Sequence, residues 1–172
     1  MAISLAELPG LVGAELFCSE WVRLDAADEE AFGHATLLRE EFLGRPPSGR
    51  DPDGERPISG FLLLSMLVAF HKRELDFGGA SGLNYGVDRV RFLRPVRSGR
   101  RVRVRATLTD VRERGPGRTR VLTRNVLEVE GADAPVMIAD WIAFFVEEAA
   151  GAGQQGGHFP SDVRQSGSPS AL

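Results

Sequence analysis

Cysteine and tyrosine each occur once in these 172 residues, and tryptophan twice. Cys18, standing alone, cannot close an internal disulfide. That fits a reducing compartment, and a cytoplasmic location is expected. Long hydrophobic runs are missing too. The longest, Phe61 to Phe70, is broken by Ser65 and ends in His71-Lys72-Arg73, about half the length a bilayer span requires. It reads as a buried core helix, and no membrane partner is expected. The opening residues, MAISLAELPGLVGAELF, place no basic leader before an apolar core, so no secretion signal is expected. Net charge is small, at -3, which makes no general case for nucleic acid or anionic lipid. Few aromatics are interleaved with the arginines, a second argument against nucleic acid. Cys/His clusters are lacking, and Asp51 and Asp53 sit in a proline-rich loop without further ligands, so no metal is expected. No glycine-rich phosphate loop follows a strand, and no cofactor is expected.

What is present suffices for one domain. Hydrophobic residues make up 42% of the chain, enough to bury a core. Leu5 to Val12 is a short amphipathic stretch interrupted by Pro9-Gly10, and Glu15 to Leu24 reads as a strand. Asp25 is a good N-cap with acids following it, predicting a helix from Ala26 to about Phe42. Gly44 to Pro57 is rich in proline and glycine and must be loop. Gly60 to about Leu75 is apolar all round, as expected of a helix enclosed on every side. Alternating patterns then predict strands over Leu83–Val96, Arg101–Arg112, Thr119–Glu130 and Val136–Val146, separated by turns at Ser98-Gly99, Gly115-Pro116-Gly117 and Gly131 to Ala134. The fold class is α+β, an antiparallel meander wrapped around a buried central helix. The domain is expected over residues 1–147. Residues 148–172 have little to bury and are expected to be a flexible tail.

Three segments resemble MaoC-like hydratases, the (R)-specific enoyl-CoA hydratase/dehydratase family, and especially the branch related to nodulation protein N. The first is Pro57-Ile58-Ser59-Gly60-Phe61-Leu62 with Ser65, similar to the start of that family's central helix. The second is Gly82-Leu83-Asn84-Tyr85-Gly86-Val87 through Arg91-Phe92 to Pro95-Val96 and Gly99. The third is Val129-Glu130-Gly131 with Pro135 to Trp141. The resemblance implies a hotdog-fold dimer that holds an acyl thioester of coenzyme A or an acyl carrier protein in a tunnel at the dimer interface. It also implies backbone N–H groups at the start of the central helix polarising the thioester carbonyl. In the family, an Asp and a His five residues later position a water on the 2,3-bond. Aligned without a gap from Phe32, those positions fall on Leu38 and Leu43. Shifting by three residues sets Glu41-Phe42 over an Asp-Phe variant, but the histidine position then falls on Pro46. The acid–base pair is read as missing, and the family's His-Gly at the helix start is Ser59-Gly60.

These residues suggest a divergent enzyme acting on an acyl-thioester or polyketide-like intermediate, by dehydration or cyclisation. The alternative is a non-catalytic acyl-binding subunit whose missing pair a paralogue supplies in a heterodimer. Otherwise a homodimer is expected. The candidate catalytic residues are Glu41, Ser65 and Tyr85. Glu41 is the best substitute acid or base, unless it belongs to a solvated helix end. Ser65 sits where the family has a pocket serine, unless it only bonds back to the preceding turn. Tyr85 can donate into a pocket or simply pack. Candidate substrate-binding residues are Leu38, Leu43, Ser59, Gly60 and Asn84, with Ser59 also a natural N-cap. Asn84 and Tyr85 are neighbours on a strand, so one of them should face the helix. His71 at the helix end reads as a cation suited to the helix dipole. His34 is expected on an exposed helix face and His158 in the tail. Thirteen arginines between Arg89 and Arg124 either attract phosphates or line the wet face of the sheet.

Overall fold

Val102, Val104, Ala106 and Leu108 alternate with arginines and threonine, and all four are completely buried. A period of two in a strand sends successive side chains to opposite faces, so this one pattern marks which side of the sheet meets the core. The computed structural model describes residues 2–45 and 56–146. The predicted tail, His158, Pro46, Asp51, Asp53 and most of the Gly44–Pro57 loop lie outside the described residues.

After a 3-10 helix over Leu5–Leu11 come strands β1 (Glu15–Cys18) and β2 (Val22–Arg23). The single strand predicted over Glu15 to Leu24 is thus divided. At the break the Ser19 hydroxyl accepts from the Val104 N–H at 3.0 Å, so a side chain satisfies a backbone donor of the neighbouring strand. Helix α1 (Ala26–Ala35) starts where Asp25 predicts, its carboxylate accepting from the N–H groups of Ala27 and Asp28. It does not run to Phe42. Thr36 bonds back to the Phe32 carbonyl, Leu37 takes a left-handed φ of 62°, and Arg39 is extended. A separate single turn, α2 (Glu40–Leu43), follows and closes on left-handed Gly44.

Strand β3 (Pro57–Ile58) leads into the central helix α3 (Gly60–Glu74). Then come β4 (Ser81–Phe92), β5 (Val96–Arg97), β6 (Arg101–Glu113), β7 (Arg118–Val129) and β8 (Met137–Val146). The strand predicted over Leu83–Val96 therefore ends at Phe92, and Val96 pairs instead with Ile58 in a small two-stranded sheet. The main sheet runs β1-β6-β7-β8-β4, with β2 also on β6. Only β6, β7 and β8 form a meander. β4 crosses to the far side and pairs with β8, which leaves it on an edge.

Helix α3 lies against this sheet, burying Leu63, Leu67, Phe70 and His71. Their spacing is one stripe of a 3.6-residue helix. Truncating Leu67 to alanine should cost about 2–5 kcal/mol, as such core deletions do. The expectation of a helix enclosed on every side fails in the single chain. Phe61 is 68% exposed, and Ser65 and Ala69, on the same face, are exposed as well. β4 presents Leu83, Tyr85, Val87 and Phe92 to solvent.

The arginine-rich outer face of β6 is matched by acids. Arg101 pairs with Glu130, Arg103 with Glu128 and Arg105 with Glu15, at 3.0, 2.7 and 2.9 Å. Arg103 also lies over the Trp21 ring. These cross-strand partners support the reading in which alternation puts arginine on the wet face.

Candidate active site

The start of α3 is built by three segments. Ser59 caps the helix, its hydroxyl accepting from the Phe61 N–H at 3.2 Å. The Ser59 N–H donates to Glu29 Oε2 at 2.7 Å, which ties α1 to the helix end and brings a carboxylate there. A carboxylate suits the positive end of the helix dipole. Gly60 permits a close approach: a Cβ at that position would stand 2.7 Å from the Phe92 ring, which would have to move. Phe61 packs obliquely on Phe92, with ring centroids 5.8 Å apart. Beside them opens an apolar cavity of about 320 Å³, lined among others by Leu63, Arg94 and Val96.

The residues nominated from sequence are distributed unevenly around this point. Ser59 and Gly60 are at it. Ser65 lies on the open face of α3, where its hydroxyl donates to the Leu62 carbonyl at 2.8 Å, the back-bond expected of a helical serine. Leu38 is half exposed, Leu43 partly so, and Glu41 is exposed on α2. The carboxylate bonded to the helix start is that of Glu29, not Glu41, because the helix break at Thr36–Leu38 makes α2 a separate turn.

Asn84 and Tyr85 separate as strand alternation demands, but the outcome removes Tyr85 from the helix side. Asn84 lines a second cavity with His71, Trp141 and Phe145 near the C-terminal end of α3. Tyr85 sits in a bulge of β4 and packs edge-on against Phe144, 4.8 Å between centroids. Phe144 alternates with Ala143 and Phe145 along β8, so Tyr85 faces away from α3 within its own chain.

His71 corrects another expectation. Far from being a solvated cation, it is 7% exposed. Burial lowers its pKa to about 4, against the hydrogen bond to Asn125, which raises it. His34 is exposed as expected, with Nε2 3.0 Å from Arg39 Nη1. Since arginine only donates, His34 accepts there. Glu29 escaped the sequence reading because nothing local marks which α1 acid reaches α3. Asn125 did leave a signal: with Thr123 it interrupts an otherwise apolar inward row of β7. Among the described residues, no group of three or more His, Cys, Asp or Glu could hold a metal ion. No described helix is long and apolar enough to cross a membrane.

No protein-family model matches the chain. It is 35% identical over 149 residues to nodulation protein N of Rhizobium leguminosarum bv. viciae, covering 81% of this chain and 89% of that protein. It is 29% identical over 145 residues to 3-hydroxyacyl-thioester dehydratase Z of Mycobacterium tuberculosis, covering 83% and 96%. Its structure is similar to that of an R-hydratase from Pseudomonas aeruginosa, with a TM-score of 0.61 and 18% identity over 92% of this chain and 97% of that one. An antiparallel sheet laid against one central helix is the hotdog architecture of these proteins. By sequence and by fold, the chain belongs to the MaoC-like hotdog dehydratase family, in the branch of nodulation protein N.

Proposed function

We propose that this protein holds an acyl thioester, of coenzyme A or an acyl carrier protein, at the start of α3. It acts there on an acyl or polyketide-like intermediate by dehydration or cyclisation. The observation that carries this reading is the helix start itself. Ser59 and Gly60 set the positive end of the helix dipole beside an apolar cavity of about 320 Å³. Such a helix end stabilises negative charge developing on a carbonyl oxygen without having to reorganise. Leu38 and Leu43, at the family's acid and base positions, carry no proton. The ordinary addition of water across a 2,3-bond is therefore not the reaction. A shaped apolar cavity can still promote ring closure by holding a near-attack conformer. The acid or base nearest the helix start is Glu29, which takes over the role first given to Glu41. Ser65, its proton engaged with the Leu62 carbonyl, is left as a candidate acceptor toward the pocket, and Tyr85 acts at the seam between subunits.

The protein works as a homodimer joined along β4. An edge strand that exposes Leu83, Tyr85 and Val87 is a template for a second strand. The same open edge, together with the leucines, favours one competing reading: a non-catalytic acyl-binding subunit that pairs with a paralogue carrying the missing residues.

Two measurements on the purified chain test this. Hexanoyl-coenzyme A should bind by calorimetry, while crotonyl-coenzyme A should not be hydrated above background. Hydration at the rate of an ordinary hydratase would show that the acid–base pair is present after all. Failure of acyl-coenzyme A to bind would remove the acyl-thioester reading. A homodimer in light scattering supports the first assembly. A monomer that dimerises only when a paralogue is added supports the second.

A further inference from the structure

The C-terminal end of α3 borders a cavity of about 540 Å³ whose lining includes His71, Phe77, Asn84, Trp141 and Phe145. His71 lies eleven residues beyond Gly60, about 16 Å along the helix axis, so this cavity is distinct from the one at the helix start. Its walls combine aromatic and aliphatic side chains with the polar ones of His71, Lys72, Asp76 and Asn84, the mixture of apolar surface and placed polar groups found in small-molecule sites.

The state of His71 is set by its neighbours. Nε2 is 2.7 Å from Asn125 Oδ1. The amide orientation is set in turn, because Asn125 Nδ2 donates to the Thr123 carbonyl, the Thr123 hydroxyl and, at 3.4 Å, the Ala139 carbonyl. Oδ1 can only accept, so Nε2 carries the proton. In the neutral ring Nδ1 is then an acceptor, and the ring forms part of the cavity wall. The ring is held edge-on between Phe17 and Trp141, with centroids 4.9 and 4.6 Å away. A neutral acceptor of fixed orientation in a cavity wall suits the hydrogen-bond donor of a ligand.

We infer that this cavity binds an uncharged, largely apolar molecule carrying a hydroxyl group, of the phenol type, with its O–H donated to His71 Nδ1. Trp141, Phe77 and Phe145 supply the faces for an aromatic ring. Asn84, which also lines the cavity, offers a second polar contact. Lys72 and Asp76 are both exposed at the mouth and oppose each other in charge, so the site has no preference for an ion.

The test uses 4-propylphenol and its methyl ether, 4-propylanisole, titrated into the full chain and followed by amide and indole NMR signals. The phenol should shift the Trp141 indole, the Asn84 side-chain amide and Gly82 saturably. The ether should bind about fivefold more weakly, the worth of one hydrogen bond. In His71→Leu the two should bind alike. Should that variant fail to fold, the wild-type Nδ1 nitrogen resonance serves instead, and the phenol alone should move it. Equal affinities in the wild type, an Nδ1 signal that ignores the phenol, or no saturable shift at these positions would overturn the inference. The last outcome is also the one expected if a partner subunit's side chain fills the cavity across the β4 edge.

Discussion

Arg89 Nη2 stands 2.6 Å from Asp140 Oδ2 across the seam between β4 and β8, an ion pair without the alignment of a hydrogen bond. Arg124 Nε donates to the other oxygen, Oδ1, at 3.1 Å. Asp140 is 1% exposed while both arginines reach solvent. Arg89 adopts a left-handed φ of 48° within a bulge of β4, a conformation uncommon for a residue with a side chain. The pair thus pins an irregular stretch of the open edge strand to the sheet.

The two sides of that pair should respond unequally to mutation. Replacing Arg89 and Arg124 together with methionine leaves a buried carboxylate without a counter-charge, and should cost about 3–5 kcal/mol in urea unfolding. Asp140→Asn removes the group that cannot be left alone, and should cost less than half as much. Equal losses, or a double-arginine variant as stable as the wild type, would contradict this.

Stability should fall in acid because of His71. The unfolded chain takes up a proton at this histidine near its ordinary value of 6.5, whereas the folded chain refuses it down to about 4. The unfolded state therefore binds more protons in that interval, and stability drops by about 3 kcal/mol as pH falls through it. The contribution is intact above pH 6.5. The stability gap between wild type and His71→Leu should accordingly narrow between pH 7 and pH 4. A constant gap would mean that His71 protonates freely in the fold.

Gly60→Ala should push the Phe92 ring aside, since the added carbon would lie 2.7 Å from it. Phe92 is exposed enough to give way, so the loss of stability should be modest, about 1–2 kcal/mol. Adding Phe92→Ala should relieve the strain and show as non-additivity in a double-mutant cycle. Binding of acyl-coenzyme A should fall in Gly60→Ala, because the displaced ring closes the cavity at the helix start.

Glu29 and Glu41 should separate cleanly. Glu29→Ala removes the acceptor of the Ser59 N–H, and should lower stability by about 1 kcal/mol and weaken acyl-coenzyme A binding. Glu41→Gln, at an exposed position, should change neither. The reverse pattern would return the role to α2.

Val87→Lys places a charge in the middle of the open β4 edge and should convert a homodimer into a monomer in light scattering. An unchanged dimer would place the interface elsewhere.

Local periodicity and capping were legible in the order of residues alone. Asp25 marks the start of α1, Ser59-Gly60 marks the start of α3, and the alternation from Val102 to Leu108 marks the inward face of β6. The motif around Gly82 to Phe92 was enough to suggest the hotdog family. Features that depend on partners distant in the chain emerged with the folded protein. β4 pairs with β8 rather than with its successor, because strand order is a choice among long-range pairings that no local pattern encodes. Tyr85 turns away from α3 because a bulge and the register with β8 decide which face it takes. His71 looked like a cation at a helix end. Asn125, fifty-four residues later, orients the ring, and the sheet folded over it excludes the water that would have kept it charged.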